Sequence, residues 1–174
     1  VLFDARAENL YPENSFDLVV SCSVLEHVTP IEGLSGDSVI CRNVAKWLKP
    51  GGIFVLSVPY YSEGFSEYRT KPVYEDQERT DKGYFFQRFY DRDSLQTRII
   101  DPSELEVDGE IYVGERHYFP SDINKRLASL VGTGWRKYAL GRVFPWLSNV
   151  FMELDRRVES FKKPYLAIVA LRKN

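Results

Sequence analysis

The sequence predicts an α/β fold built on a parallel sheet, and two apolar runs with an amphipathic stretch between them carry that expectation. Phe16 to Ser21 (FDLVVS) and Ile53 to Val58 (IFVLSV) are short and rich in β-branched residues, a pattern that suits strands buried on both faces of a parallel sheet. Between them, Asp37 to Leu48 sets Ile40, Cys41, Val44, Trp47 and Leu48 at helical spacing. Asp37 stands where a helix start is capped, and Pro50-Gly51-Gly52 stops the end. Strand, helix and strand in this order make a right-handed crossover between parallel neighbours.

The remaining elements follow in chain order. Tyr60 to Arg88 is polar and aromatic without sustained periodicity, and is expected to be a functional loop or insertion. Asp91 to Ile100 suits a short helix with Leu95, Ile99 and Ile100 inward. Leu105 to Gly114 alternates around Asp108-Gly109 and reads as a strand with a turn or bulge, and Tyr165 to Leu171 as a final apolar strand. Residues 121 to 164 between them read as a helical excursion. Ser121 would cap one helix through Ile123, Leu127, Leu130 and Val131, and Pro145 would open a second through Leu147, Val150, Phe151 and Leu154.

A chain of 174 residues with 44% hydrophobic content can bury one sizeable core, so a single domain over residues 1–174 is expected. The apolar runs are far too short to cross a bilayer, and the expected location is cytoplasmic. Cys22 and Cys41 fall on different elements without CxxC spacing, so neither a disulfide framework nor a metal site is expected. The net charge of −2 gives no overall footprint for nucleic acid. Its distribution is uneven: residues 1–120 carry 12 Lys+Arg against 21 Asp+Glu, whereas residues 121–164 carry 9 against 4. The basic stretch, with Arg136, Lys137, Arg142, Trp146, Arg156, Arg157, Lys162 and Lys163, offers a surface for phosphates or for peripheral contact with an anionic membrane. Its plain reading is a solvated helix face.

Phe3 to Val28 (FDARAENLYPENSFDLVVSCSVLEHV) and Val44 to Tyr60 (VAKWLKPGGIFVLSVPY) together resemble the second half of class I S-adenosylmethionine (SAM)-dependent methyltransferases of the type 11 kind. The resemblance weakens at Gln87 to Leu95 and does not reach the basic excursion. It implies a Rossmann-like class I methyltransferase sheet, incomplete at its N-terminal side, with a helical insertion before the last strand. It also places the start of the chain at the end of the family's third strand, so the GxGxG loop and the ribose-binding carboxylate have no counterpart here. The chain is therefore expected to be the C-terminal part of a longer protein, or to be completed by a partner.

Residue by residue, the resemblance implies that Asp4 accepts a hydrogen bond from the adenine amino group while the Ala5 amide reaches a ring nitrogen. The plainer alternative is that Asp4 ends a strand and orders the next turn. Ser21 and Cys22, at the carboxyl end of a parallel strand, would line the methionine end of SAM, or serve as small packing residues. Glu26 and His27 are the most reactive pair: an imidazole of near-neutral pKa beside a methyl donor can take a proton from a nucleophile. Relatives that bind a metal use ExxEH, and Ser23 stands at the first position here, so no metal is expected. The competing role for the pair is to cap and orient a short helix. Tyr60, Tyr61, Tyr68, Tyr84, Phe85, Phe86, Arg88 and Tyr90 would roof a substrate pocket, or form a satellite core. His117 has no partner in the sequence. The resemblance thus implies SAM as cofactor and methyl transfer to a small-molecule or glycosylated acceptor, by O- or N-methylation. The rival reading is a noncatalytic binding or scaffold module that has lost the SAM site.

Overall fold

The computed structural model describes residues 4–7, 9–30, 35–74, 77–116 and 152–174. The first helix of the basic excursion lies outside them, as do His117, Arg136, Lys137, Arg142 and Trp146. Two strands enclose the first helix, in the order anticipated: β1 (Phe16–Cys22), α1 (Gly36–Trp47) and β2 (Leu48–Pro59). β1 and β2 run parallel, with Leu18 opposite Ile53 and Ser21 opposite Leu56. α1 buries Ile40, Cys41, Val44 and Trp47. Ser35, not Asp37, holds its N-cap position. The turn before β1 closes its other end, because the Asn14 amide donates to the Lys46 carbonyl at 3.0 Å and the Ser15 amide to Trp47 at 2.7 Å. Carbonyls that a helix end leaves unpaired are thereby satisfied.

Neither strand is buried on both faces. In β2, Phe54, Leu56 and Val58 are sealed while the alternate residues stay partly open, and in β1 Leu18 and Val20 are more than half exposed. Alternation of this kind belongs to a sheet with one fully packed face.

Residues 60–88 are not a loop. They form a three-stranded antiparallel sheet, order β3-β5-β4, from β3 (Phe65–Arg69), β4 (Arg79–Thr80) and β5 (Gly83–Phe89). Gly83 turns β4 into β5 at φ 113°, and a Cβ there would sit 2.6 Å from the Arg69 carbonyl oxygen. A helical run follows: α2 (Arg92–Leu95), a π-helical turn (Gln96–Ile100) and α3 (Asp101–Ser103). Asp91 caps it, accepting from the Ser94 amide at 2.8 Å and from the Gly64 amide at 2.7 Å. Leu95, Ile99 and Ile100 are buried, as the sequence predicts.

Among the described residues, β6 (Glu106–Glu115), β7 (Met152–Asp155) and β8 (Lys163–Arg172) join β1 and β2 in a sheet of order β1-β2-β8-β6-β7. β8 pairs antiparallel with β2, Phe54 opposite Leu171. β6 passes straight through Asp108-Gly109 without a turn, and Asp108 pairs with Arg172 at 3.0 Å. Leu154, expected on a helix, lies in β7, which pairs antiparallel with β6. The chain divides into two compact units, Val1–Glu110 with Leu166–Asn174, and Ile111–Tyr165. In the second, Arg116 ties β6 to β7 through Glu153 at 2.6 Å and Asp155 at 3.1 Å. No helix among the described residues is long and apolar enough to cross a membrane.

Candidate functional site

The carboxyl end of β1 gathers the candidate residues of the first unit. After Cys22, Ser23 takes left-handed backbone at φ 51°, held by its amide donating to the Ser57 carbonyl at 3.0 Å. Serine in this region is strained where glycine would not be, and such strain concentrates at ligand sites. The turn sets Leu25–His27 down as one tight helical turn at the strand end, where open α/β sheets bind ligands. Ser21 is half-buried there, and Cys22 is exposed.

His27 is fixed by β5. Its Nδ1 lies 2.8 Å from the Phe86 carbonyl oxygen. A carbonyl can only accept, so Nδ1 carries a hydrogen, and whenever the ring is neutral its lone pair is on Nε2. The Tyr74 hydroxyl lies 3.1 Å from the same Nδ1, and the rings of Tyr74 and Phe86 flank the imidazole at 5.8 and 5.3 Å between centroids. Gln77 fastens this aromatic wall. Its Oε1 accepts from the Val73 and Tyr74 amides at 2.8 and 3.1 Å, and its Nε2 donates to the Phe85 carbonyl at 2.7 Å.

Glu26 lies behind this wall with 1% of its surface exposed. Its Oε1 is 3.9 Å from His27 Nε2, and its Oε2 has no hydrogen-bond partner among the described residues. Burial pushes the carboxyl above its ordinary pKa, against smaller opposing pulls from its backbone, His27 and the Ser23 hydroxyl.

Asp4 and Ala5 are drawn toward the same strand end by two anchors that sequence reasoning missed. Arg6 Nη1 donates to the Thr29 hydroxyl at 3.1 Å, and buried Asn43 on α1 donates to the Ala5 carbonyl at 3.0 Å and the Ala7 carbonyl at 3.3 Å. Arg6 also chelates Asp4, with Nη2 to Oδ2 at 2.7 Å and Nε to Oδ1 at 3.0 Å. That side-chain contact holds the Asp4 carboxyl below its usual range.

Three expected pocket residues are placed differently. Arg88 is buried and donates to Asp37 Oδ2 at 3.1 Å, because β5 turns this side chain toward the start of α1. Tyr60 is 3% exposed and bridges to Tyr90, so it is core. Tyr61 packs edge-on against Phe65 and Phe89. Tyr74 and Gln77 were missed because they lie in a stretch without periodicity, and only the fold brings them to His27. Among the described residues no group of three or more His, Cys, Asp and Glu side chains could hold a metal ion.

Residues 1–56 match the family described as "Methyltransferase domain". No curated protein matches. Among solved structures, a SAM-dependent methyltransferase from Methanosarcina mazei is 14% identical with a TM-score of 0.51, over 98% of this chain and 65% of that one. The [4+2]-cyclase SpnF is 18% identical with a TM-score of 0.48, over 99% of this chain and 54% of that one. Phosphoethanolamine N-methyltransferase 2 of Haemonchus contortus, solved with S-adenosyl-L-methionine, is 15% identical with a TM-score of 0.45, over 98% and 36%. The chain thus spans about half the length of the first of the solved structures it matches, SpnF. Its fold is the Rossmann-like class I methyltransferase fold, as the strand order and the Methanosarcina structure agree.

Proposed function

We propose that this chain, with its class I methyltransferase fold and methyltransferase-domain sequence over residues 1–56, works as part of a longer enzyme that methylates a small-molecule or glycosylated acceptor at oxygen or nitrogen. The observation that carries this reading is His27, held at the carboxyl end of β1 with its lone pair fixed on Nε2 by the Phe86 carbonyl.

The residues present fit SAM. Asp4 is a charged carboxylate at the rim, and its chelation by Arg6 keeps it ionised and ready to accept an amino hydrogen. Ser21 and exposed Cys22 leave the strand end open for the amino-acid end of the cofactor. When bound, SAM supplies a methyl group on a positively charged sulfur, an electrophile that needs alignment more than activation. His27 then removes the acceptor's proton at Nε2, and the Tyr74 and Phe86 rings form a wall that orients the acceptor.

A second reading, the noncatalytic module, draws on the same Asp4, since a carboxylate already chelated by Arg6 binds adenine only if the chelate yields or shares an oxygen. Calorimetric titration of SAM into the full-length natural protein separates the two. Enzymatic function requires binding there, with this chain alone binding weakly or not at all. Absence of SAM binding to the full-length protein leaves the module. If SAM binds, His27→Ala should lower turnover by about 10² to 10⁴ with SAM affinity little changed, as loss of a general base does.

A further inference from the structure

We infer that the acceptor is an amine, bound as its ammonium ion between Glu26 and His27, an inference that rests on the methyl-transfer reading above. The gap between Glu26 Oε1 and His27 Nε2 is 3.9 Å. Because Nδ1 donates to the Phe86 carbonyl, neutral Nε2 is an acceptor, and an ionised Glu26 offers only acceptors. Two acceptors separated by that distance are too far apart to bond to each other, and one atom carrying two hydrogens can satisfy both at about 2.8 to 3.0 Å.

A hydroxyl brings one hydrogen and leaves a lone pair facing a lone pair. An ammonium group brings two or more, together with a positive charge. Among the described residues Glu26 is sealed from water and its Oε2 has no hydrogen-bond partner, while the carboxyl is held only by a backbone amide, the Ser23 hydroxyl and His27. A buried carboxyl without a cation is costly in its ionised form, and a cationic ligand offsets that cost. His27 keeps 27% of its side chain exposed and Tyr74 43% of its surface, so the pair is reached from the imidazole side. The stacked rings of Tyr74 and Phe86, 13° apart in plane, present aromatic surface beside it. The Arg69 guanidinium, 4.4 Å over the Phe86 ring, already serves that ring as a cation. Among the described residues His27 is the titratable group that acts on Glu26, Tyr74 stands on the far side of the imidazole and Arg69 lies over Phe86. Proton transfer from the bound ammonium to Nε2 would free the nitrogen lone pair for attack.

The test uses two probes of one skeleton, phenethylamine and 2-phenylethanol, titrated into this chain and into the full-length protein, with the Glu26 carboxyl carbon followed by 13C NMR. The expected result is at least tenfold tighter binding of the amine, and a fall in the Glu26 pKa with the amine but not with the alcohol. Glu26→Gln should abolish the preference. Should that variant fail to fold, the wild-type carboxyl titration decides alone. Equal affinities, no measurable amine binding, or an unmoved Glu26 titration would overturn the inference. SAM binding to the full-length protein is measured beside it: retained SAM binding without amine preference sinks the amine and spares methyl transfer, whereas amine binding without SAM binding sinks methyl transfer and leaves only an amine-binding site.

Discussion

Asp37 and Glu26 are both sealed from solvent, at 0% and 1% exposure, and the fold treats them in opposite ways. Asp37 accepts five hydrogen bonds. Arg98 reaches both its oxygens at 2.8 and 2.9 Å, Tyr90 donates at 2.8 Å, Arg88 at 3.1 Å and the Ser38 amide at 3.0 Å. Burial, then the nearby Asp37 charge, pushes the Tyr90 hydroxyl far above its usual pKa, so it remains a donor. Apart from Ser38, on α1 itself, these partners come from β5, the residue that follows it and the helical run beyond, and they pin those elements to α1. Glu26 has an oxygen with no donor among the described residues. Burial alone therefore says little about a carboxylate's role, and the number of donors around it says much. A saturated group is a lock, and an unsaturated one is ready for a ligand.

The largest expected effect is at the lock. Asp37→Asn leaves the buried Arg88 guanidinium without its counter-charge and should cost about 3 to 5 kcal/mol, read from urea unfolding. A loss below about 1 kcal/mol would mean that the cluster is no lock. Glu26→Met should act in the other direction, stabilising at neutral pH by about 1 to 3 kcal/mol, because it removes an unsatisfied buried acceptor. Since burial raises the folded-state pKa of Glu26, its contribution is favourable below the unfolded value near 4.5 and is lost as pH rises through the folded value. The gap between variant and wild type should therefore widen over that interval. A pH-independent gap breaks the comparison.

A third carboxylate sharpens it further. Asp91 is satisfied but only partly buried, and its Ser94 contact lowers its pKa. Asp91→Ala should cost about 0.5 to 2 kcal/mol, the usual value of an N-cap. That stability is present above the unfolded value of 3.8 and lost as pH falls through the lower folded one, opposite in sign to Glu26. The smallest effect is on the surface. Asp17 meets Lys49 at 2.8 Å in open solvent, and Lys49→Ala should leave the melting temperature unchanged within error.

The parts legible in the sequence were those where a single periodicity rules. β1, α1, β2 and β8 carry unbroken apolar runs or a clean helical stripe; β1, α1 and β8 formed within two residues of their expected bounds, whereas β2 starts at Leu48, five residues early, and runs through Pro50-Gly51-Gly52. β5 could not be seen that way, because Phe85 is core, Phe86 meets His27 and Phe89 stacks on Phe65 at 4.4 Å. With aromatics on both faces the alternation vanishes. Asp108-Gly109 looks like a turn by local chemistry, yet β6 runs on through it and Asp108 is bonded to Arg172. Glu26 and His27 stood out from their neighbours in sequence. Arg88 did not reveal its role, since its partner Asp37 lies 51 residues away.

The antiparallel pairing of β2 with β8 also governs the order in which this molecule can be assembled. Phe54 must wait for Leu171, 117 residues further along the chain. At about 5 to 20 residues per second, a nascent chain carries one edge of β2 unpaired for roughly 6 to 23 s. β1 and α1 can fold against β2 in that time, since all three lie between Phe16 and Pro59, while the apolar edge beside them stays open to chaperones or to a neighbouring nascent chain.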